Sequence, residues 1–499
     1  MAVTPYNNRE VGIKGFVIAG VHSGCGKTTV SLGMMAALKQ RGLTVAPFKV
    51  GPDFIDPGHH GRITGTTSRN LDGWMLSRHA NADCFDRHAA GADVAVVEGV
   101  MGLFDGYDGG SDAGSSAQMA KWLNLPVLLV VNAKSMARSA AALLKGFEWF
   151  DQDLRFAGVI FNMIGSQRHL TYLKEAVEGH VTMPCLGGIC RDEDMSIPER
   201  HLGLVTRQDH DLTPEYIDRL VGVIERNVDV DALLAGLPDV DVKPVSCRPA
   251  TDFGRLPNRI ESSTGIRPGR RSGSGDRPRI GVARDNAFCF YYQDNLDMLQ
   301  SCEAEPVFFS PVRDRRLPRD LDGLYLGGGY PELFAAQLAE NSGMRRQIRE
   351  KSMDGMPIYG ECGGFMYLCR QLTDADGNVF PMTGCFPYAA RMFSRLKALG
   401  YREITLTRNT VIGPEGRILR GHEFHYSALE DDAEGASNPS IEYVYRVTAR
   451  AGLSHTVEGC SVFNTLGSYI HLHFGSCPQA AEHFTARCID YQLNRKHTL

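Results

Sequence analysis

The sequence has no apolar stretch approaching the ~18 residues that cross a bilayer, and Met1 to Lys14 is polar with no apolar region of signal-peptide type. No membrane partner is expected, and the expected location is cytoplasmic. Long basic runs are missing as well, and the formal net charge is only −5 over 499 residues, so nucleic acid is not an expected partner either. None of the 13 cysteines sits in a CxxC spacing of the kind that builds zinc or redox sites. Any cysteine chemistry must come from the setting of a single residue. There is no internal repeat, and 43% hydrophobic with 22% charged residues argues against disorder.

What is present is an alternation of short apolar runs and helical patterns. The runs GFVIAG, TVAPFKV, ADVAVVEG, LPVLLVVNA and FAGVIFNMI are apolar throughout, as strands covered on both faces are, which predicts a parallel sheet flanked by helices. From Asp239 the pattern dissolves into Pro, Gly, Ser and Arg, and alternation resumes at RIGVARD, followed by GLYLGGGYPE, MPIYGECGG and SYIHLHF. The expected fold class is α/β: two doubly wound, mainly parallel domains, over residues 1–238 and 279–499, joined by a linker over 239–278.

GVHSGCGKTT (Gly20 to Thr29) lies between a buried strand and a helix predicted from Lys27 to about Gln40, the context of a phosphate-binding loop. Ser23, Gly24, Gly26, Lys27, Thr28 and Thr29 are the expected ATP contacts, with Lys27 on the β/γ-phosphates and the Thr28 hydroxyl toward Mg²⁺. Val21 stands where the simple pattern has glycine, and His22 where MinD-like ATPases carry a signature lysine. Carboxylates follow the next strands, where open α/β sheets bind ligands: Asp53 and Asp56 in PDFIDPGHH, Glu98 and Asp105 in VVEGVMGLFDG. Magnesium is assigned to Thr28, Asp53 and Glu98, because a carboxylate beside a buried strand wants a cation. Asp108 and Asp112 read as turn or cap residues. Asn162 in FNMIGS follows a strand, and in related P-loop enzymes such an Asn can read the base; the bland reading is a turn cap.

YGECGGFMYL is a strand, a Gly-flanked cysteine and a helix, the pattern of a nucleophile elbow, with the helix N-terminus favouring the thiolate of Cys362. His471 and His473 in SYIHLHF fall on one face of a strand by its period of two, and either could be the base. LGGGYPE offers flexible backbone N–H donors.

These segments together resemble the cobyrinic acid a,c-diamide synthase family, most plainly in KVGPDFIDPGHH, EGVMGLFDG and GHEFHYS, and the likeness spans both halves except the linker. PERHLGL (Pro198 to Leu204) is also similar, without a chemical role that we can derive. Phe54 stands where the family commonly has Tyr. The resemblance implies that Asp56 and Asp105 lie near the substrate carboxylates, that His471 is the base with His473 in reserve, and that Gly328 and Gly363 form the oxyanion hole. Ordinary class I glutamine amidotransferases place a Glu two residues after the histidine; here His473 occupies that position, as in the cobyrinic and cobyric acid branch. The implied reaction is ATP- and glutamine-dependent amidation of the a and c carboxylates of cobyrinic acid, with hydrogenobyrinic acid or nickel sirohydrochlorin as alternative substrates. The implied partners are small molecules (tetrapyrrole, glutamine, ATP), and a homodimer is left open. A MinD-like or metallochaperone switch is the reading from another class; it would leave Cys362, His471 and GGGYPE idle. A scaffold without activity is disfavoured, since every nucleophile, base and metal position is filled.

The linker composition makes a prediction of its own. Limited proteolysis should cut first between residues 239 and 278 and leave two folded fragments, identified by mass spectrometry. A first cut elsewhere redraws the boundary.

Overall fold

A computed structural model of the chain describes residues 12–191, 212–242, 277–430, 441–448 and 455–498. These fall into two compact units, residues 12–242 and 277–498. Residues 243–276 of the expected linker and the PERHLGL segment lie outside the described residues.

In the first unit the strands are β1 (Ile13–Gly20), β2 (Val45–Val50), β3 (Arg69–Leu71), β4 (Val94–Glu98), β5 (Val127–Asn132), β6 (Phe156–Ile164), β7 (Cys185–Cys190) and β8 (Asp239–Val240). The first seven form a parallel sheet in the order β3-β2-β4-β1-β5-β6-β7. Its uniformly apolar strands are explained by two cores. Phe16 and Ile18 of β1 face Val30 and Leu32 of the following helix Lys27–Gln40, whereas Val17 and Ala19 face Phe48, Val97 and Leu129 on the other side. Strand order reverses beside β1, and it is the C-terminal ends around such a point that bind ligands. β8 pairs antiparallel with β1, and Asp239 is 2.9 Å from Lys14 Nζ. The first two residues of the expected linker thus belong to the sheet.

The second unit carries β9 (Arg279–Ala283), β10 (Glu305–Phe309), β11 (Gly323–Leu326), β12 (Ile358–Glu361), β13 (Gln371–Thr373), β14 (Val379–Pro381), β15 (Ala389–Met392), β16 (Ala398–Leu406), β17 (Ile418–His425), β18 (Ser427–Glu430), β19 (Glu442–Thr448), β20 (His455–Val462), β21 (Thr465–Ser468) and β22 (His471–Leu472). The main sheet runs β10-β9-β11-β12-β21-β20-β19-β16-β17-β22, and β13, β14, β15 and β18 form a smaller one. The α/β class holds, but only the β10-to-β21 half is parallel; the rest is antiparallel, so the sheet is mixed. Burial explains the division. β11 and β12 are buried at every residue, as a parallel sheet covered by helices requires, whereas β16 and β17 mix buried residues with half-buried and exposed ones.

Among the described residues no helix is long and apolar enough to cross a membrane.

Candidate active sites

The helix Lys27–Gln40 begins without a side-chain cap, and Gly26 occupies the cap position at φ 94°. Its first amides are left facing the loop, the arrangement that binds phosphate. A Cβ on Gly26 would lie 2.1 Å from the Asn162 amide nitrogen, which donates to Cys25 O at 2.9 Å. Asn162 is buried at the sheet end and ties down the phosphate loop from β6. Ser23 and Gly24 form the exposed tip, and Thr28 and Thr29 are half-buried. Lys27 is buried, 3.4 Å from His22 O, and burial lowers its pKa.

Glu98, at the end of β4, has no exposure. Its Oε1 accepts from Thr28 Oγ1 at 2.8 Å and Lys49 Nζ at 3.0 Å, and its Oε2 is 2.7 Å from His60 Nε2. Lys49 also meets Asp56 at 2.7 Å and donates to Gly99 O at 3.2 Å. Burial opposes the charge of Lys49, but the carboxylates of Asp56, Glu98 and Asp53 outweigh it and raise its pKa. The cation that Glu98 needs is therefore Lys49, and burial alone does not call for a metal. Asp56 is buried and paired with Lys49. Asp53 Oδ1 accepts from the amides of Ile55 and Asp56 at the start of the helix Ile55–Thr64. Thr28, Asp53 and Glu98 offer oxygen donors only, and Thr28 already touches Glu98, so this set suits magnesium. Asp105 is exposed, with Oδ2 accepting from Gly102 N, and its loop is fixed on β1 by the bond from Leu103 N to Gly20 O.

In the second unit Cys362 joins β12 to the helix Gly363–Leu368 with φ 46° and ψ −105°, a conformation that side chains rarely adopt. This is the strained turn that the sequence pattern predicts. The expected depression of its pKa is absent: burial first, then the nearby Glu332 and Glu361 carboxylates, push the thiol up to about 12 against the help of the Gly363 amide. A thiolate must form by proton transfer to a base. His471 is buried on β22, its ring stacks on His422 at 5.1 Å and 16°, and its Cε1 would be 2.3 Å from a Cβ at Gly328. His473 Nδ1 instead accepts from Gly475 N, and burial drops its pKa to about 4. It serves as a cap.

The oxyanion loop needs one correction. Gly328 N–H donates to Phe290 O at 3.2 Å in a β-bridge. Gly329 N–H makes no hydrogen bond among the described residues and lies 3.0 Å from where a Cβ on Gly363 would stand. The Gly328 amide is thus occupied, and, among the described residues, the Gly329 amide is not.

Residues 16–205 match the CobQ/CobB/MinD/ParA nucleotide-binding domain family, and residues 279–478 match the CobB/CobQ-like glutamine amidotransferase domain family. A protein from Syntrophotalea carbinolica named cobyrinate a,c-diamide synthase is 44% identical over 472 residues, covering 95% of this chain and 98% of that one. The chain belongs to the cobyrinate a,c-diamide synthase family. Relatives with the same name from Leptospira interrogans (40% over 483 residues, 96% and 99% covered) and Methanosarcina acetivorans (42% over 518 residues, 97% and 99%) agree. Like that family it is a glutamine-dependent, ATP-using amidating ligase of cobalamin biosynthesis.

Lys49, His60 and Gly329 lie at these candidate sites and were not singled out in the sequence. Lys49 carried a signal, since a lysine inside the apolar run TVAPFKV must be paired if buried. His60 and Gly329 carried none beyond their motifs. The GHEFHYS segment now has a physical role: Gly421 and His422 pair with Leu472 and His471, and a Cβ on Gly421 would sit 2.0 Å from His471 O. It holds His471 in register.

Breaking the buried cluster should be costly. Lys49→Met leaves Glu98 and Asp56 without their cation and should lower stability by roughly 3–5 kcal/mol, read from urea unfolding of the whole chain. A loss below about 1 kcal/mol would show that His60 and Thr28 suffice.

Proposed function

We propose that the chain amidates the a and c carboxylates of cobyrinic acid with ATP and glutamine, through acyl phosphates. The observation that carries this reading is the strained Cys362 turn in the same unit as His471 and a glycine amide with no other partner, in a chain that also bears a complete phosphate loop. The shared name of the relatives supports cobyrinic acid as substrate.

Glutamine is opened by attack of the Cys362 sulfur on its amide carbon while His471 takes the thiol proton. The Gly329 and Gly363 amides receive the developing oxyanion, and His471 returns the proton to the departing ammonia. Water then releases glutamate. In the other unit Lys27 and the first amides of its helix hold the triphosphate, and Thr28, Asp53 and Glu98 would hold Mg²⁺, which would shield phosphate charge. The substrate carboxylate, oriented from the exposed Asp105 loop, takes the γ-phosphoryl group and leaves ADP. Ammonia attacks the acyl phosphate and expels inorganic phosphate. Direct attack on a carboxylate would have to expel oxide, which is why ATP is needed.

The two chemistries should separate by mutation. Cys362→Ser should lower glutamine-dependent diamide formation on the order of 10³-fold or more, while ammonium at a pH near 8.5 or above, where more of it is unprotonated, restores ATP-dependent turnover. His471→Asn should split the same way, and Lys27→Ala should be inactive with either nitrogen source. Retained glutamine use by Cys362→Ser, or a glutamine-specific lesion in His473→Asn rather than His471→Asn, would overturn the assignments.

A further inference from the structure

We propose that Glu361, the residue immediately before the nucleophile, is the positioning acid of His471 and fills the role for which ordinary class I enzymes use a carboxylate after the histidine. The proposal rests on the reading of Cys362 and His471 given above. Glu361 ends β12, is 1% exposed, and its Oε2 lies 3.8 Å from His471 Nδ1. The carboxylate is fixed by three donors: Tyr359 OH at 2.7 Å and Leu472 N at 3.0 Å on Oε1, and Tyr325 OH at 3.0 Å on Oε2. One of these is the backbone of the residue next to His471, so the acid and the strand bearing the histidine are locked together.

At 3.8 Å the contact is longer than a hydrogen bond but within the range where a carboxylate favours imidazolium over imidazole. A negative group facing Nδ1 keeps the proton there and leaves Nε2 as the base, and it stabilises the imidazolium formed when Cys362 gives up its proton. Glu332 is a second carboxylate beside Cys362. Burial first, with mutual repulsion from His471 and His473, holds His422 neutral, and burial does the same for His473. The Tyr325 and Tyr359 phenols are pushed well above their ordinary values by burial and remain donors. Asp294 faces His473, at 3.9 Å.

Because Glu361 also ties three hydrogen bonds together, a purely structural role is the competing explanation, and the pH profile of glutamine hydrolysis separates the two. Full-length wild type, Glu361→Gln and Glu361→Asp are compared, with Cys362→Ser as the blank. Without the carboxylate facing Nδ1, the imidazolium formed on His471 loses its stabilising charge. Glu361→Gln should therefore lose roughly 10²–10⁴-fold in kcat with little change in the KM for glutamine, and its acid limb should move to lower pH. Glu361→Asp, which keeps the charge but withdraws it by one methylene, should fall between the two, and it carries the test if the Gln protein does not fold. An acid limb that stays in place in the soluble variants overturns the proposal, whatever happens to kcat. Glutamine hydrolysis by Cys362→Ser would instead overturn the underlying reading of the nucleophile.

Discussion

Burying a carboxylate at the end of a central strand is the constraint around which each unit is organised. Glu98 has no exposure at the end of β4, and an uncompensated charge there would cost several kcal/mol. Lys49 reaches it from β2, Thr28 from the start of the helix after the phosphate loop, and His60 from the helix Ile55–Thr64. Three separate elements are therefore oriented by one side chain. The Thr28 hydroxyl, which the phosphate chemistry needs at the loop, is placed by the same bond that satisfies Glu98.

The second unit repeats the device with different partners. Glu361 ends β12 without a cation and is satisfied by two phenols and a backbone amide. Neutral donors stabilise a buried carboxylate without cancelling its charge, so its field remains available to a neighbour. A lysine in their place would have quenched that field. The contrast explains why Glu98 reads as an anchor and Glu361 as a group that acts on His471.

The sequence made the architecture legible wherever burial is two-sided. GFVIAG, VAVVEG and LPVLLVVNA could only be covered strands, and Gly26, Lys27 and Cys362 sit in local patterns whose geometry is fixed within a few residues. What stayed hidden depends on contacts across the chain. The pairing of Lys49 with Glu98 spans 49 positions, that of Asn162 with Cys25 spans 137, and that of Glu361 with Leu472 spans 111. The choice between Gly328 and Gly329 turns on which amide Phe290 occupies, and neighbouring glycines in a run look alike until that partner is placed. The antiparallel half of the second sheet was missed because its strands, although longer than the parallel ones, are only partly buried and so lack the continuous apolar signature of the rest.

Three histidines, His422, His471 and His473, crowd the end of the second sheet, and their chemical differences follow from what each ring faces. His422 meets the Tyr292 hydroxyl at 2.8 Å and stacks on His471. His473 accepts from Gly475 N, so its Nδ1 lone pair is occupied by a backbone donor and protonation there would break the cap. Both are better bases unused than used, because burial makes their charged forms expensive. His471 Nδ1 faces the Glu361 carboxylate at 3.8 Å and its ring stacks on His422, whereas His473 meets Asp294 at 3.9 Å through Nε2. In the proposed reading the buried Cys362 thiol gives its proton to a base whose cation is stabilised where it forms, and the Glu361 carboxylate facing Nδ1 supplies that charge to His471.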